Sequence, residues 1–183
     1  MVGPVKRLLK AEAILCAQAA DAACVILHAS NSIESDSISK PESWPVFVKP
    51  VKDKVFVGFV LRTEKDIPCQ RYVEKGEPLL CSKPVNFQTE WCAFVRYRVI
   101  WDVRLYRGNW HAHYGSNVLD NTVRAYTGTP AGYAMDFGLT EDGRTLLVEI
   151  NDGFALGSYG LDPIQYAKLL SACWAEAKEN NQT

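Results

Sequence analysis

No charge of one sign dominates this chain of 183 residues, since 20 lysines and arginines stand against 21 aspartates and glutamates. The global basic field that holds nucleic acid or an anionic membrane is therefore missing, and neither is expected as a partner. The six cysteines, Cys16, Cys24, Cys69, Cys81, Cys92 and Cys173, form no C-x-x-C pair. They make no zinc-like cluster with histidine either. A chain this long builds its core without disulfide staples, so they read as reduced thiols, mostly buried, in a cytoplasmic protein. A clean hydrophobic run is also lacking, because Glu12, Gln18 and Asp21 interrupt the apolar stretch from Ala11 to Ala29. That stretch is too short and too polar to cross a bilayer. Neither G-x-x-x-x-G-K-[ST] nor G-x-G-x-x-G occurs, so a P-loop and a Rossmann site are both unsupported.

What is present is the composition of a globular domain with a sizeable core: 48% hydrophobic and 22% charged residues. Residues 1–30 are expected to carry an amphipathic helix, and the Ser-rich run 31–43 to act as a linker. From Trp44 to Thr183 the chain reads as one strand-rich domain. Strands are expected at Val46–Val48, Val55–Leu61, Trp91–Val95, Val99–Tyr106, Tyr133–Leu139 and Thr145–Asn151, with a short helix over Leu119–Tyr126. Asp162 and Pro163 are N-cap and first residue of a C-terminal helix. Its apolar stripe is expected to be Ile164, Ala167, Leu170, Cys173, Trp174 and Ala177. The sum is an α+β fold with mainly antiparallel pairing.

The segment Tyr133–Asn151 concentrates chemistry. Asp142-Gly143 predicts a two-residue type I′ turn, because Gly accepts the positive φ required. That turn would set Leu139 against Leu146, Phe137 against Val148 and Met135 against Ile150, an apolar face for the core. On the other face Gly138 would oppose Leu147, Asp136 would oppose Glu149, and Ala134 would oppose Asn151. Opposed side chains on such a ladder lie about 4.5–5.5 Å apart at Cβ. Two carboxylates that close repel unless a cation sits between them, and with the Asn151 amide oxygen they suit Mg²⁺ or Mn²⁺.

A second segment, Trp44–Leu61, ends one apolar strand at Lys49, holds Lys52 and Lys54 in its turn, and interrupts the next strand with Gly58. A strand-end lysine is a point charge for a phosphate oxygen. The other reading is a hairpin with solvated lysines.

Together, and with Glu90 between them, these elements resemble the ATP-grasp superfamily, whose two α+β lobes hold ATP between them. Lys49 in FVKP is similar to the family's phosphate-contacting strand lysine. Lys54, Phe56 and Gly58 resemble a clade in which a second lysine followed by F-x-G replaces the glycine-rich loop. The segment Cys81–Trp91 resembles the hinge, which implies an N-lobe over about 44–82 and a C-lobe over about 83–183. The resemblance further implies adenine contacts at the backbone of Lys83, Pro84 and Val85, ribose hydroxyls on Glu90, and metal on Asp136, Glu149 and Asn151 in a D…E-x-N pattern. The activity implied is an ATP- and Mg²⁺-dependent ligase that joins a small-molecule or peptide carboxylate to an amine through an acyl phosphate.

Three departures from the family pattern stand out. Cys92 and Ala134 occupy positions where relatives carry arginine, and Arg104 or Arg98 is the candidate replacement. Few residues precede Trp44, so a homodimer sharing the acceptor pocket would complete the site. The loop Gly153–Gly160, with Ser158 and Tyr159, is placed to shape that pocket. His111 and His113 are too few for a transition-metal site, and Trp91, Trp101, Trp110 and Trp174 read as core or pocket walls. The alternatives are a nucleotide-binding module without turnover and an interaction domain with no nucleotide site.

Overall fold

The structure, a computed structural model, describes residues 44–50, 57–66 and 79–181. The helix and linker expected over residues 1–43, together with Lys52, Lys54 and Phe56, lie outside them. The described residues fall into two compact units, one ending at Val85 and the other beginning at Asn86.

In the first unit β1 (Val46–Pro50) lies between β2 (Phe59–Leu61) and β3 (Leu79–Ser82), both antiparallel to it. Val48, Leu61 and Cys81 form its small core, with Trp44, Val46 and Phe59 packed against it. Strand alternation turns Phe47 and Lys49 to the opposite face. Gly58 lies close under that face: a Cβ there would sit 2.6 Å from Phe47 Cζ and 3.1 Å from Lys49 Cβ. The glycine foreseen as a point of close approach is thus one, between strands of the same sheet.

The second unit is a four-stranded antiparallel sheet of β4 (Phe87–Arg96), β5 (Val99–Arg107), β6 (Gly132–Thr140) and β7 (Thr145–Asp152), ordered β5-β4-β6-β7. Helix α1 (Ser116–Ala125) covers one face through Leu119 and Val123, which pack on Ala93, Val95, Met135, Phe137, Leu147 and Ile150. Helix α2 (Pro163–Asn180) covers part of the other through Leu169, against Cys92, Phe94 and Ala134. Asp162 caps α2 as expected, its carboxylate accepting the N–H of Ile164 at 3.0 Å and of Gln165 at 3.1 Å.

The buried face of α2 differs from the expected stripe. Leu169, Ala172 and Cys173 are buried, whereas Ile164 is 65% and Trp174 69% exposed. The reason is close docking. A Cβ on Gly132 would lie 2.7 Å from Cys173 Sγ and 3.0 Å from the Leu169 carbonyl oxygen. Backbones that near favour small side chains at the contact, and Trp174 is left outside it. Trp110 is exposed as well, stacked on His111 with ring centroids 3.6 Å apart, while Trp91 is buried. Cys81, Cys92 and Cys173 are free thiols and buried, as read from the sequence.

The β6–β7 turn also differs from expectation. It is a three-residue loop, Glu141–Gly143, in which Gly143 N–H donates to Thr140 O at 3.0 Å and Gly143 takes φ +81. Such a loop is a type I turn closed by a left-handed residue. Thr140 selects it: its hydroxyl bonds Asp142, and its Oγ1 receives the Arg144 N–H at 3.0 Å. Near the turn the register therefore runs Leu139–Thr145, Gly138–Leu146 and Phe137–Leu147, one step from the expected pairing. A bulge at Val148 then restores it, so that Asp136 faces Glu149, Met135 faces Ile150 and Ala134 faces Asn151. Leu147, not Val148, enters the core.

Among the described residues no helix is long and apolar enough to cross a membrane.

Candidate active site

On the α2 side of the second unit, cross-strand register lays charged residues in rows. Arg104, Cys92, Asp136 and Glu149 follow one another across β5, β4, β6 and β7. The next row holds Asp102, Phe94, Ala134 and Asn151. Phe94, Ala134 and the helix fill the space above the second row, which leaves the first row at the edge of a cavity of about 270 Å³. Asp136, Glu149 and Asn151 line it, together with Cys92 below and Ala155, Leu156, Gly157 and Tyr159 of the following loop. The sequence reading brought the same three oxygen ligands together, and placed that loop beside them.

The electrostatics mark Asp136. Its Oδ1 is buried without a hydrogen-bond partner. Burial, reinforced by the negative charges of Glu149 and Glu90, pushes its carboxyl up to about 6, against a bond from the Cys92 thiol that holds it down. The Cys92 thiol is in turn pushed far above its ordinary range by burial and by Asp136. Asn151 Nδ2 donates to Glu149 Oε1 at 3.1 Å, which presents the amide oxygen as the remaining ligand atom. An orphaned buried carboxylate oxygen, a second carboxylate opposite and an amide oxygen are a donor set that fits a hard divalent cation. Among the described residues no three His, Cys, Asp or Glu side chains gather in one place, so the third ligand has to be this amide.

Glu90 stands further along the same face, opposite Gly138 and Arg107 and 8% exposed. Its Oε2 accepts the Tyr106 hydroxyl at 2.8 Å, and its Oε1 pairs with Arg107. Consecutive strand residues normally point to opposite faces. Here Glu90 pairs with Arg107 and Trp91 with Leu105, so Tyr106 is the extra residue of a bulge, and it and Arg107 both reach Glu90. Gly108, at φ +96 and packed on the backbone of Gln88 and Thr89, completes that bend.

Of the remaining predicted residues, Arg104 faces Cys92, the very position where the family pattern has arginine. Its guanidinium bonds Asp102, and its Nε is buried without a partner. Arg98 is elsewhere, donating to the carbonyls of Val123, Arg124 and Tyr126 at the end of α1. In the other unit, Lys49 is half-buried on β1 opposite Leu80. Lys83 is exposed, and with Pro84 and Val85 it forms an irregular segment after β3. His111 and His113 are exposed in a turn, not on a strand. The sequence reading missed Tyr106 and Arg107. Only the bulge brings both to Glu90, and no periodicity announces a bulge.

A family model of the ATP-grasp domain, the second family of its clade, matches residues 26–169, and the chain belongs to that ATP-grasp family. Among solved structures, the chain is similar to the macrocyclase MdnC bound with precursor peptide MdnA from Microcystis aeruginosa MRC, at TM-score 0.56 and 15% identity. That likeness covers 92% of this chain and 62% of MdnC. The ATP-grasp ligase PsnB, complexed with a phosphomimetic variant of its minimal precursor, Mg and ADP, aligns at TM-score 0.50 and 14% identity, over 93% of this chain and 60% of PsnB. N5-carboxyaminoimidazole synthetase from Staphylococcus aureus aligns at 0.50 and 13%, over 79% and 43%. At these identities the likeness establishes the fold, which is ATP-grasp. The chain spans less than two thirds of the length of each of these proteins. No curated protein matches the sequence.

Proposed function

We propose that the chain binds Mg²⁺-ATP and activates a carboxylate as an acyl phosphate for capture by an amine. The observation that carries this reading is the buried, unpartnered Oδ1 of Asp136, opposite Glu149 and beside Asn151. Mg²⁺ on these three residues would supply charge neutralisation for the phosphoryl group in transfer. The chain's own residues do the rest. Glu90, held from two sides by Tyr106 and Arg107, keeps lone pairs to accept ribose hydroxyls. Lys49 and Lys54 serve phosphate oxygens, and the backbone of Lys83, Pro84 and Val85 serves the adenine edge. Arg104, arriving from β5 opposite Cys92, provides the positive charge that Cys92 lacks. Ala155, Leu156 and Gly157, which line the cavity beyond the carboxylates, form the acceptor side. The donor and acceptor are a small-molecule or peptide carboxylate and amine.

Thermal unfolding with and without Mg²⁺-ATP, in the wild type and in Glu149→Gln, tests the reading. A ligand at 100 times its dissociation constant stabilises by about 2.7 kcal/mol, a shift of several degrees at this size. The expected result is a shift in the wild type that disappears in the variant. No wild-type shift at millimolar ATP would sink the nucleotide site.

Cys92 and Ala134, both in the cavity wall where relatives carry arginine, favour a second reading, nucleotide binding without turnover. ADP release that depends on an added acceptor separates the two.

A further inference from the structure

The loop between β7 and α2 is tied down at both ends. Gly153 N–H donates to Gly132 O at 3.1 Å, Ala155 N–H to Asp152 O at 2.8 Å, and the Tyr166 hydroxyl to Leu156 O at 2.9 Å. At its far end Leu161 is buried with Phe94 and Leu169. Between these anchors the crest, Gly157–Gly160, carries Tyr159 in the left-handed region at φ +45, a conformation costly for a residue with a Cβ. Tyr159 lines the carboxylate cavity, and its ring packs on Tyr106, centroids 5.3 Å apart and planes tilted by 37°. Tyr106 is the bulge residue whose hydroxyl bonds Glu90. One aromatic contact therefore joins the carboxylate read as the ribose ligand to the crest of the loop read as the acceptor wall.

We propose that Tyr106 is a positioning residue that couples the two ends of the site, so that nucleotide bound at Glu90 fixes the crest through Tyr159 and makes the acceptor side ready. The proposal rests on the nucleotide reading above. The route is physical: a ribose hydroxyl sharing Glu90 constrains where the Tyr106 hydroxyl sits, and the Tyr106 ring is the surface on which Tyr159 rests. Coupling of this kind is reciprocal, so disturbing the crest has to weaken the nucleotide as well.

The test titrates Mg²⁺-ADP into the full chain by calorimetry, for the wild type, Tyr106→Phe, Tyr159→Ala, Tyr159→Phe and the double variant Tyr106→Phe/Tyr159→Ala. Tyr106→Phe keeps the ring and removes the bond to Glu90; Tyr159→Phe keeps the ring contact. Coupled sites typically change affinity at least about five-fold. Tyr106→Phe and Tyr159→Ala are each expected to weaken Mg²⁺-ADP by that much, Tyr159→Phe to bind like the wild type, and the double variant to be no weaker than the worse single. Multiplying effects in the double variant would mean two independent contacts and would overturn the coupling alone. So would Tyr159→Ala binding like the wild type, or Tyr159→Phe binding as weakly as Tyr159→Ala. A wild-type chain that does not bind Mg²⁺-ADP overturns the nucleotide reading and the coupling with it.

Discussion

Asp136 faces Glu149 directly across the β6–β7 ladder, and one of its carboxylate oxygens is buried with no hydrogen bond. Without a cation this arrangement costs stability at neutral pH. The folded-state value of Asp136 is raised from 3.8 to about 6, so the fold holds this proton more tightly than the unfolded chain does. The stability this provides is complete below 3.8 and is lost as pH rises through about 6, a difference of up to about 3 kcal/mol. In metal-free buffer Asp136→Asn is therefore expected to melt above the wild type at pH 7, with the gap closing toward pH 4. The same variant should lose the Mg²⁺-ATP shift. Thermal unfolding at the two pH values, with chelator and then with Mg²⁺-ATP, checks both signs.

Gly143 separates conformational strain from crowding. It sits at φ +81 with nothing within 4 Å of where a Cβ would be. Gly143→Ala should cost about 1–2 kcal/mol from backbone strain alone, and Gly143→Asn less, because asparagine tolerates this region. Urea midpoints for the two variants give the comparison.

Gly132 is the opposite case. Its φ is ordinary, but a Cβ would meet Cys173 Sγ at 2.7 Å and the Leu169 carbonyl at 3.0 Å. Gly132→Ala should cost about 1–3 kcal/mol through overpacking. Adding Cys173→Ala is expected to recover part of this, with the contact to the helix backbone left over. Unfolding midpoints for the single and double variants read the recovery.

The α2 cap is a third independent site. Asp162 accepts two backbone N–H groups of the first turn, and Asp162→Ala should cost about 1 kcal/mol. Hydrogen exchange is expected to rise first in the α2 amides after Asp162, with the β4–β6 amides unaffected.

Alternation and capping made much of this fold legible in the sequence. Strands β4 to β7, helix α1 and the Asp162–Pro163 start of α2 appear where side-chain period and cap chemistry put them. The opposition of Asp136 and Glu149, with Asn151 beside them, was legible too, although through a turn that does not form. Thr140 chooses the three-residue loop by hydrogen bonds that no Asp-Gly pattern reveals. The face of α2 was not legible, because the approach of its backbone to Gly132 and Gly153 decides it rather than the size of Ile164 and Trp174. Tyr106 and Arg107 were hidden for a related reason: period-two reasoning assigns neighbours to opposite faces, and a bulge sends both to Glu90.

The surplus residue Val148 has a consequence for tracing such sites in other chains. Without it, β7 would run on from Leu147 to Glu149 with regular alternation, and Glu149 would still stand opposite Asp136. A protein lacking that one residue would keep the same pair of carboxylates while counting one position fewer between them. A search template built on fixed spacing would discard it, although nothing chemical had changed. The site depends on an address read across the strands, and distance measured along the chain is free to differ by one.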